Sequence, residues 1–167
     1  MQVILGDVCF PKSEILVIPS NTKGIMSKGL LKRVAKDGFK GIEKEAKTNA
    51  SKKRVEVGDY FTTGPGRFKR RGTKKIYHAV IKRFPGDFSS SFIVEKLLNK
   101  IIKNVISEGY KSITLCGIGI GAGELDEKII ANIMVNVCCI YDDKIEIRII
   151  DDNVDFINEV GKILRET

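Results

Sequence analysis

The chain has 167 residues, 43% hydrophobic and 30% charged, an ordinary globular mix that excludes a disordered or low-complexity protein. That length suits one domain whose core needs neither disulfides nor a structural metal to hold it. The formal net charge of +8 is uneven, because Lys23 to Arg83 carries nineteen Lys and Arg against five Asp and Glu while the remainder is acidic. A basic half beside an acidic half fits an anionic partner such as phosphate, nucleotide or nucleic acid, or else a lysine-rich solvated helix face.

Met1 runs straight into the strand-like Gln2 to Val8 with no basic-then-apolar leader. No apolar run approaches the roughly 18–20 residues of a membrane span, so a cytoplasmic protein with no membrane partner is expected. Cys9, Cys116, Cys138 and Cys139 show no CxxC spacing, and reduced thiols without a metal site are expected.

Residues 2–5 (QVIL) and 14–20 (EILVIPS) read as short strands rich in Val and Ile. From about Ser27 to Ala50 the apolar spacing is roughly helical, and Gly38 and Gly41 mark a break or the start of a second short helix. Residues 55–64 and 74–81 predict two more strands, joined by a loop whose stretch RFKRRGTKK holds six basic residues in nine. That stretch is either a polyanion contact or a mobile charged hairpin tip. Residues 91–108 carry a strong helical stripe (Ile93, Leu97, Ile101, Val105) and end at Gly109. A buried strand at 112–118, a helix at 126–138, a strand at 144–150 and a helix at 154–166 complete the order. Alternating strands and helices predict a three-layer α/β/α fold. The opening pair of strands without a helix between them, and the 55–81 pair, suggest a mixed central sheet of about six strands. Ligands in such folds sit beyond the carboxyl ends of strands.

Three strand-to-helix loops there carry chemistry. In LCGIGIGAGELDEK (115–128), glycines at 117, 119, 121 and 123 let successive N–H groups line one concavity, and a helix begins behind them near Asp126. Those parts make an anion site for phosphate or diphosphate. The same loop satisfies a loose GxGxxA, a weaker dinucleotide signal that normally follows the first strand. In VIPSNTKGIMSKGLLKRV (17–34), Asn21 either hydrogen-bonds a ligand hydroxyl or caps the turn, and Lys28 either meets a phosphate or is solvated. After the first strand, Asp7 either accepts from an exocyclic amine or makes an Asx turn.

Together these stretches resemble the macro domain family in order and spacing over nearly all of residues 1–167. VILGDV is similar to its opening strand, and ILVIPSNTKGIMSKGLLKRV to its strand, Asn and first loop. VEVGDYFTTGPGRF with KKIYHAVI resembles its hairpin, and SITLCGIGIGAGELDEKIIANIM its phosphate-cradling loop. The resemblance implies a single ADP-ribose-binding domain with no cofactor of its own, whose partners are free ADP-ribose or an ADP-ribosylated protein. Nucleic acid is the alternative partner. By position Asp7 would take the adenine amine, the Val8 amide would support the ring, and Asn21 would face the distal ribose. The backbone of Ser27, Lys28, Gly29 and Leu30, and of Gly119, Ile120, Gly121, Ala122 and Gly123, would wrap the diphosphate.

The departures bear on activity. Leu31 stands where hydrolases of the family often carry an Asp. Gly123 stands where many members place an aromatic, and Asp151, Asp152 and Asn153 stand where another stacks on adenine. A second catalytic branch uses a lysine that attacks the sugar's anomeric carbon, helped by an acid. Lys82 falls near that lysine's place and Glu124 or Asp126 near the acid's, the other reading of Lys82 being a surface lysine after a strand. His78, the chain's one histidine, sits mid-strand and reads as structural.

Overall fold

The computed structural model describes residues 1–39, 41–121 and 124–167. Its strands are β1 (Gln2–Leu5), β2 (Ile15–Asn21), β3 (Tyr60–Thr63), β4 (Lys75–Lys82), β5 (Ser112–Leu115) and β6 (Glu146–Asp151). The helices are α1 (Gly29–Asp37), α2 (Ile42–Lys53), α3 (Ser91–Ser107), α4 (Glu127–Tyr141) and α5 (Val154–Glu166), with a 3₁₀ turn at Gly66–Arg71. The six strands form one sheet in the order β1-β6-β5-β2-β4-β3. All neighbours are parallel except β3, which pairs antiparallel with β4 at the edge.

Burial on both faces explains the near-continuous apolar runs. Ile15, Leu16, Val17 and Ile18 of β2, and Ile76, Tyr77, Ala79 and Val80 of β4, are wholly buried. Side chains of this kind contribute about 1.5–3 kcal/mol each when fully buried. The chain moves one way across the sheet from β2 to β4 and the other way from β4 to β5 and on to β6. Right-handed crossovers therefore put α1 and α2 on one face and α3 and α4 on the opposite one. In keeping with this, α3 packs on α4 and α4 on α5. On α3, Val94, Leu97, Leu98, Ile101, Ile102 and Val105 form the buried stripe, and the Ser90 side chain caps the N-terminus.

Three expectations change. Residues 55–59 are not strand, because α2 runs on to Lys53 and closes through Arg54 in the left-handed region. Val55 then donates its N–H back to the Ala50 carbonyl, completing a Schellman-type stop. The opening strands are not neighbours: β1 lies at the far edge against β6, and the sheet is mixed through β3 alone. Residues 6–14 return along the sheet, held where Thr114 bonds the Ser13 hydroxyl (2.7 Å) and the Pro11 carbonyl (2.8 Å). The basic stretch is no loose hairpin tip either. Phe68 is fully buried there, and Arg71 donates to the Cys9 carbonyl while stacking on Phe10.

Neighbouring strands β2 and β5 lead into helices on opposite faces, which opens a crevice beyond their carboxyl ends.

Candidate functional site

A cavity of about 290 Å³ occupies that crevice. One wall is the end of β2 with the loop into α1 (Asn21, Ser27, Lys28, Gly29, Leu30), and the other is the β5–α4 loop (Gly119, Gly121, Glu124). Lys82 at the end of β4 closes the back, with Pro85 and Gly86 beside it. The two glycine-containing loops, about ninety residues apart in the chain, thus face one another.

The first loop is tied down from within. Asn21 is buried, its Oδ1 accepts from the N–H groups of Lys23 and Ile25 (both 3.1 Å), and its Nδ2 donates to the Ile25 carbonyl (3.0 Å). Its main task in the structure is to hold the turn, with one amide hydrogen left over for a ligand. Gly24 lies against α2 at φ +65°, where a Cβ would come 2.5 Å from the Ala46 carbonyl oxygen. Glu43 pins the loop again by accepting from the Met26 N–H at 2.6 Å. Beyond it α1 begins at Gly29 with no side-chain cap. The first-turn N–H groups therefore lack intrahelical partners and leave a partial positive charge beside the cavity.

The second loop leaves β5 at Cys116. Its Gly117 N–H donates to Asp151 Oδ2 at 2.9 Å. At Gly119 (φ +85°) an added Cβ would meet Leu125 at 2.4 Å, so the turn closes onto Leu125, whose N–H bonds the Gly119 carbonyl. Ile118 and Ile120 point into the core, which leaves backbone rather than side chains toward the cavity. Ala122 and Gly123 lie outside the described residues. Asp126 caps α4, accepting from the Lys128 and Ile129 N–H groups.

At the back, Lys82 Nζ meets both carboxylate oxygens of Glu124, at 2.6 and 2.7 Å. Each side chain is only 18% exposed, and the Ser89 hydroxyl reaches the same carboxylate at 3.4 Å. Lys82 is therefore no ordinary surface lysine.

Asp7 and Val8 do not line this cavity. Asp7 makes an Asx turn, accepting from the Cys9 N–H at 2.9 Å, and Val8 is buried. The Asp7 turn nevertheless adjoins the β5–α4 loop, because Asp151 accepts the Gly6 N–H on its backbone and the Gly117 N–H on its side chain. Burial pushes the Asp151 carboxyl above the usual range, against the pull of the Asn153 and Gly117 N–H groups. Sequence reading missed Arg33. One turn into α1 from Gly29, its half-exposed guanidinium reaches Asp7 at 3.8 Å and Asp152 at 3.4 Å. An Arg at i+4 from the loop glycine was the available signal. Asp7, Cys9 and Asp37 also converge within 4.8 Å. Burial and the two carboxylates push the Cys9 thiol up to about 12.

His78 is fully buried in β4, bonded through Nε2 to the Thr63 hydroxyl (2.9 Å) and stacked on Phe61. Burial lowers its pKa to about 3. It does not line the cavity, and its contacts are those of the core.

With that geometry in view, the chain can be set beside known proteins. The family model of the Macro domain matches residues 17–134. An uncharacterized protein of Aquifex aeolicus is 27% identical over 81% of this chain and 78% of its own length. A Thermosipho africanus DNA ADP-ribosyl transferase–DNA ADP-ribosyl glycohydrolase fusion protein is also 27% identical, over 88% of this chain, which spans 40% of the fusion. The solved Thermosipho africanus DarTG in complex with ADP-ribose superposes with a TM-score of 0.72 at 26% identity, covering 87% of this chain and 39% of that one. An Oceanobacillus iheyensis macrodomain variant with ADPR shares the fold, with a TM-score of 0.84 at 13% identity over 97% and 90% of the two chains.

Proposed function

The chain belongs to the macro domain family, and from that premise we propose that it binds ADP-ribose in the crevice beyond β2 and β5. The observation that carries this reading is the facing of two glycine-containing loops across one cavity, with the uncapped start of α1 beside it. Oriented N–H groups at a helix N-terminus bind a diphosphate without a resident cation. A volume of about 290 Å³ is at the small end for a ligand site, so it takes the diphosphate and distal ribose rather than the whole nucleotide. The adenosine then lies outward, toward Asp7. Asp152 and Asn153 rather than an aromatic stand directly after β6, and Phe156 is buried. Arg33, held between Asp7 and Asp152, offers its guanidinium plane to the base instead. The Thermosipho relative solved with ADP-ribose supports the same ligand. Calorimetric titration with ADP-ribose tests the reading.

The Lys82–Glu124 pair favours a second, catalytic reading. Leu31 supplies no acid to hold an attacking water, but a lysine at the distal-ribose end needs none for the first step. Glu124 accepts a proton from the ammonium, and the freed amine attacks the anomeric carbon of an ADP-ribosylated acceptor. The bond from that carbon to the acceptor breaks, and the acceptor takes the proton from Glu124. Water then cleaves the glycosyl–lysine bond, releasing ADP-ribose and restoring Lys82. The fusion relative includes a DNA ADP-ribosyl glycohydrolase, so ADP-ribosylated DNA is the acceptor to test first and ADP-ribosylated protein the second. Release of ADP-ribose from either substrate, lost on Lys82→Ala, is the decisive assay.

A further inference from the structure

Three phenylalanines lie within nine residues just past the cavity, and all are exposed: Phe84 (47%), Phe88 (92%) and Phe92 (87%). Isolated apolar residues on a surface need no explanation, but two nearly bare aromatic rings with a third half-exposed beside them do. The segment that carries them is anchored in the site. Pro85 and Gly86 line the cavity, and the Ser89 hydroxyl touches the Glu124 carboxylate. Two residues later Ser91 and Phe92 open a second concavity, about 820 Å³ and open to solvent, that follows α3 past Lys96, Lys100 and Lys103. Those lysines, at i, i+4 and i+7, share one helix face with Phe92, and the face is roughly 16 Å long. At the other end of the segment, Phe84 lies under the cations of Lys23 (5.6 Å) and Arg83 (5.9 Å).

Bare rings interleaved with cations, continuous with a phosphate-binding cavity, have the composition of a single-strand nucleic-acid surface. Bases stack on aromatic faces while lysines follow the backbone phosphates. Two carboxylates oppose the cations, Asp87 beside Phe88 in the segment and Glu95 in the groove, against Lys23, Arg83, Lys96, Lys100 and Lys103. Lys100 is partly committed to Asp59 at 2.8 Å. Lys96 and Lys103 make no ion pair among the described residues. An acidic protein would match the lysines and could also cover the rings, but the segment's continuity with the cavity through Pro85, Gly86 and Ser89 favours a phosphate-bearing strand. We propose that the 84–92 segment and the lysine face of α3 form a track for single-stranded DNA leading out of the Lys82–Glu124 pocket. The track rests on the catalytic reading above for its purpose, which is to hold the bases flanking an ADP-ribosylated nucleotide.

The test uses the full chain and an unmodified, fluorescein-labelled single strand of about 16 nucleotides, followed by anisotropy at low and moderate salt. The wild type is expected to bind the strand more tightly than the matching duplex, with affinity falling as salt rises. Phe88→Ala/Phe92→Ala is expected to weaken binding about tenfold or more with little change in salt slope. Lys96→Glu/Lys103→Glu is expected to weaken it and flatten the slope by about one to two. Neither pair touches the cavity, so ADP-ribose titration of both variants should match the wild type and report their folding. No strand binding by the wild type, equal affinity for duplex, or undiminished binding by the phenylalanine variant would overturn the track. Loss of ADP-ribose binding with strand binding intact would instead sink the pocket assignment and leave the track standing.

Discussion

The Lys82 ammonium and the Glu124 carboxylate, forty-two residues apart in the chain, meet at 2.6 and 2.7 Å with each side chain largely withdrawn from water. A pair of that geometry in a ligand cavity is either a fixed strut or a proton-exchanging couple, and substitution separates the two. Lys82→Ala should leave ADP-ribose affinity within about threefold while slowing release from an ADP-ribosylated oligonucleotide by about 10²-fold or more. Lys82→Arg keeps the ion pair but has no usable nucleophile, so it should be as slow as the alanine variant. Restored turnover in the arginine variant would make the pair a strut.

Gly121 lines the cavity, and among the described residues nothing beyond its chain neighbours lies within 4 Å of where a Cβ would sit. Gly121→Ala should therefore fold and melt like the wild type and lose little affinity. Gly121→Glu should fold equally well yet lose ADP-ribose binding, because it places a carboxylate in the proposed diphosphate site. Retained affinity in a folded Gly121→Glu protein would contradict the loop's assignment.

Arg33 tests where the adenine goes. With its guanidinium set between Asp7 and Asp152, Arg33→Ala should weaken ADP-ribose by about 3- to 30-fold, in line with roughly 0.5–2 kcal/mol for a cation stacked on a ring. Ribose-5-phosphate, which lacks the base, should be unaffected by the same change. Parallel calorimetric titrations of the two ligands decide it, and equal losses would place Arg33 at the phosphates.

His78 gives the fold a pH dependence of known sign. Its folded-state pKa lies near 3 against an ordinary 6.5, through burial alone. Between those values the unfolded chain binds a proton that the folded chain refuses, so stability falls as pH falls through that window. From pH 7 to 5 the loss should be about 2 kcal/mol. His78→Phe removes the titrating ring while keeping an aromatic against Phe61, and should show a flatter decline in urea midpoints over that range. Parallel pH profiles for the two proteins would contradict the assignment. Asp151, whose pKa is raised, acts in the opposite direction and is common to both.

Periodicity and punctuation carried most of the architecture. The apolar runs of β2 and β4, the stripe on α3 and the Gly38–Gly41 break between α1 and α2 are local signals that the tertiary structure had no cause to override. Where reading failed, a long-range or left-handed feature was responsible. Val55 looked like the start of a strand because nothing in its neighbourhood shows that Arg54 adopts φ +51° and closes α2. The opening strands looked paired because the bonds of Ser13 and Thr114 that send the chain across the sheet join residues a hundred positions apart. At the site, glycine spacing marked both loops, and the lysine and acid were named only through family likeness. Arg33 had a signal in its i+4 spacing from Gly29, but its pairing with Asp7 and Asp152, and the bare faces of Phe88 and Phe92, depend on packing that sequence does not display. Ala122 and Gly123, assigned to the phosphate loop by resemblance, lie outside the described residues.

The most direct measurement is calorimetric titration of the full chain with ADP-ribose at low and at moderate salt. The account predicts saturable one-to-one binding in the micromolar range that changes little with salt, because backbone N–H groups rather than mobile lysines hold the diphosphate. No binding heat from a folded protein at either salt would contradict it, and would mean that the crevice beyond β2 and β5 serves some other anion.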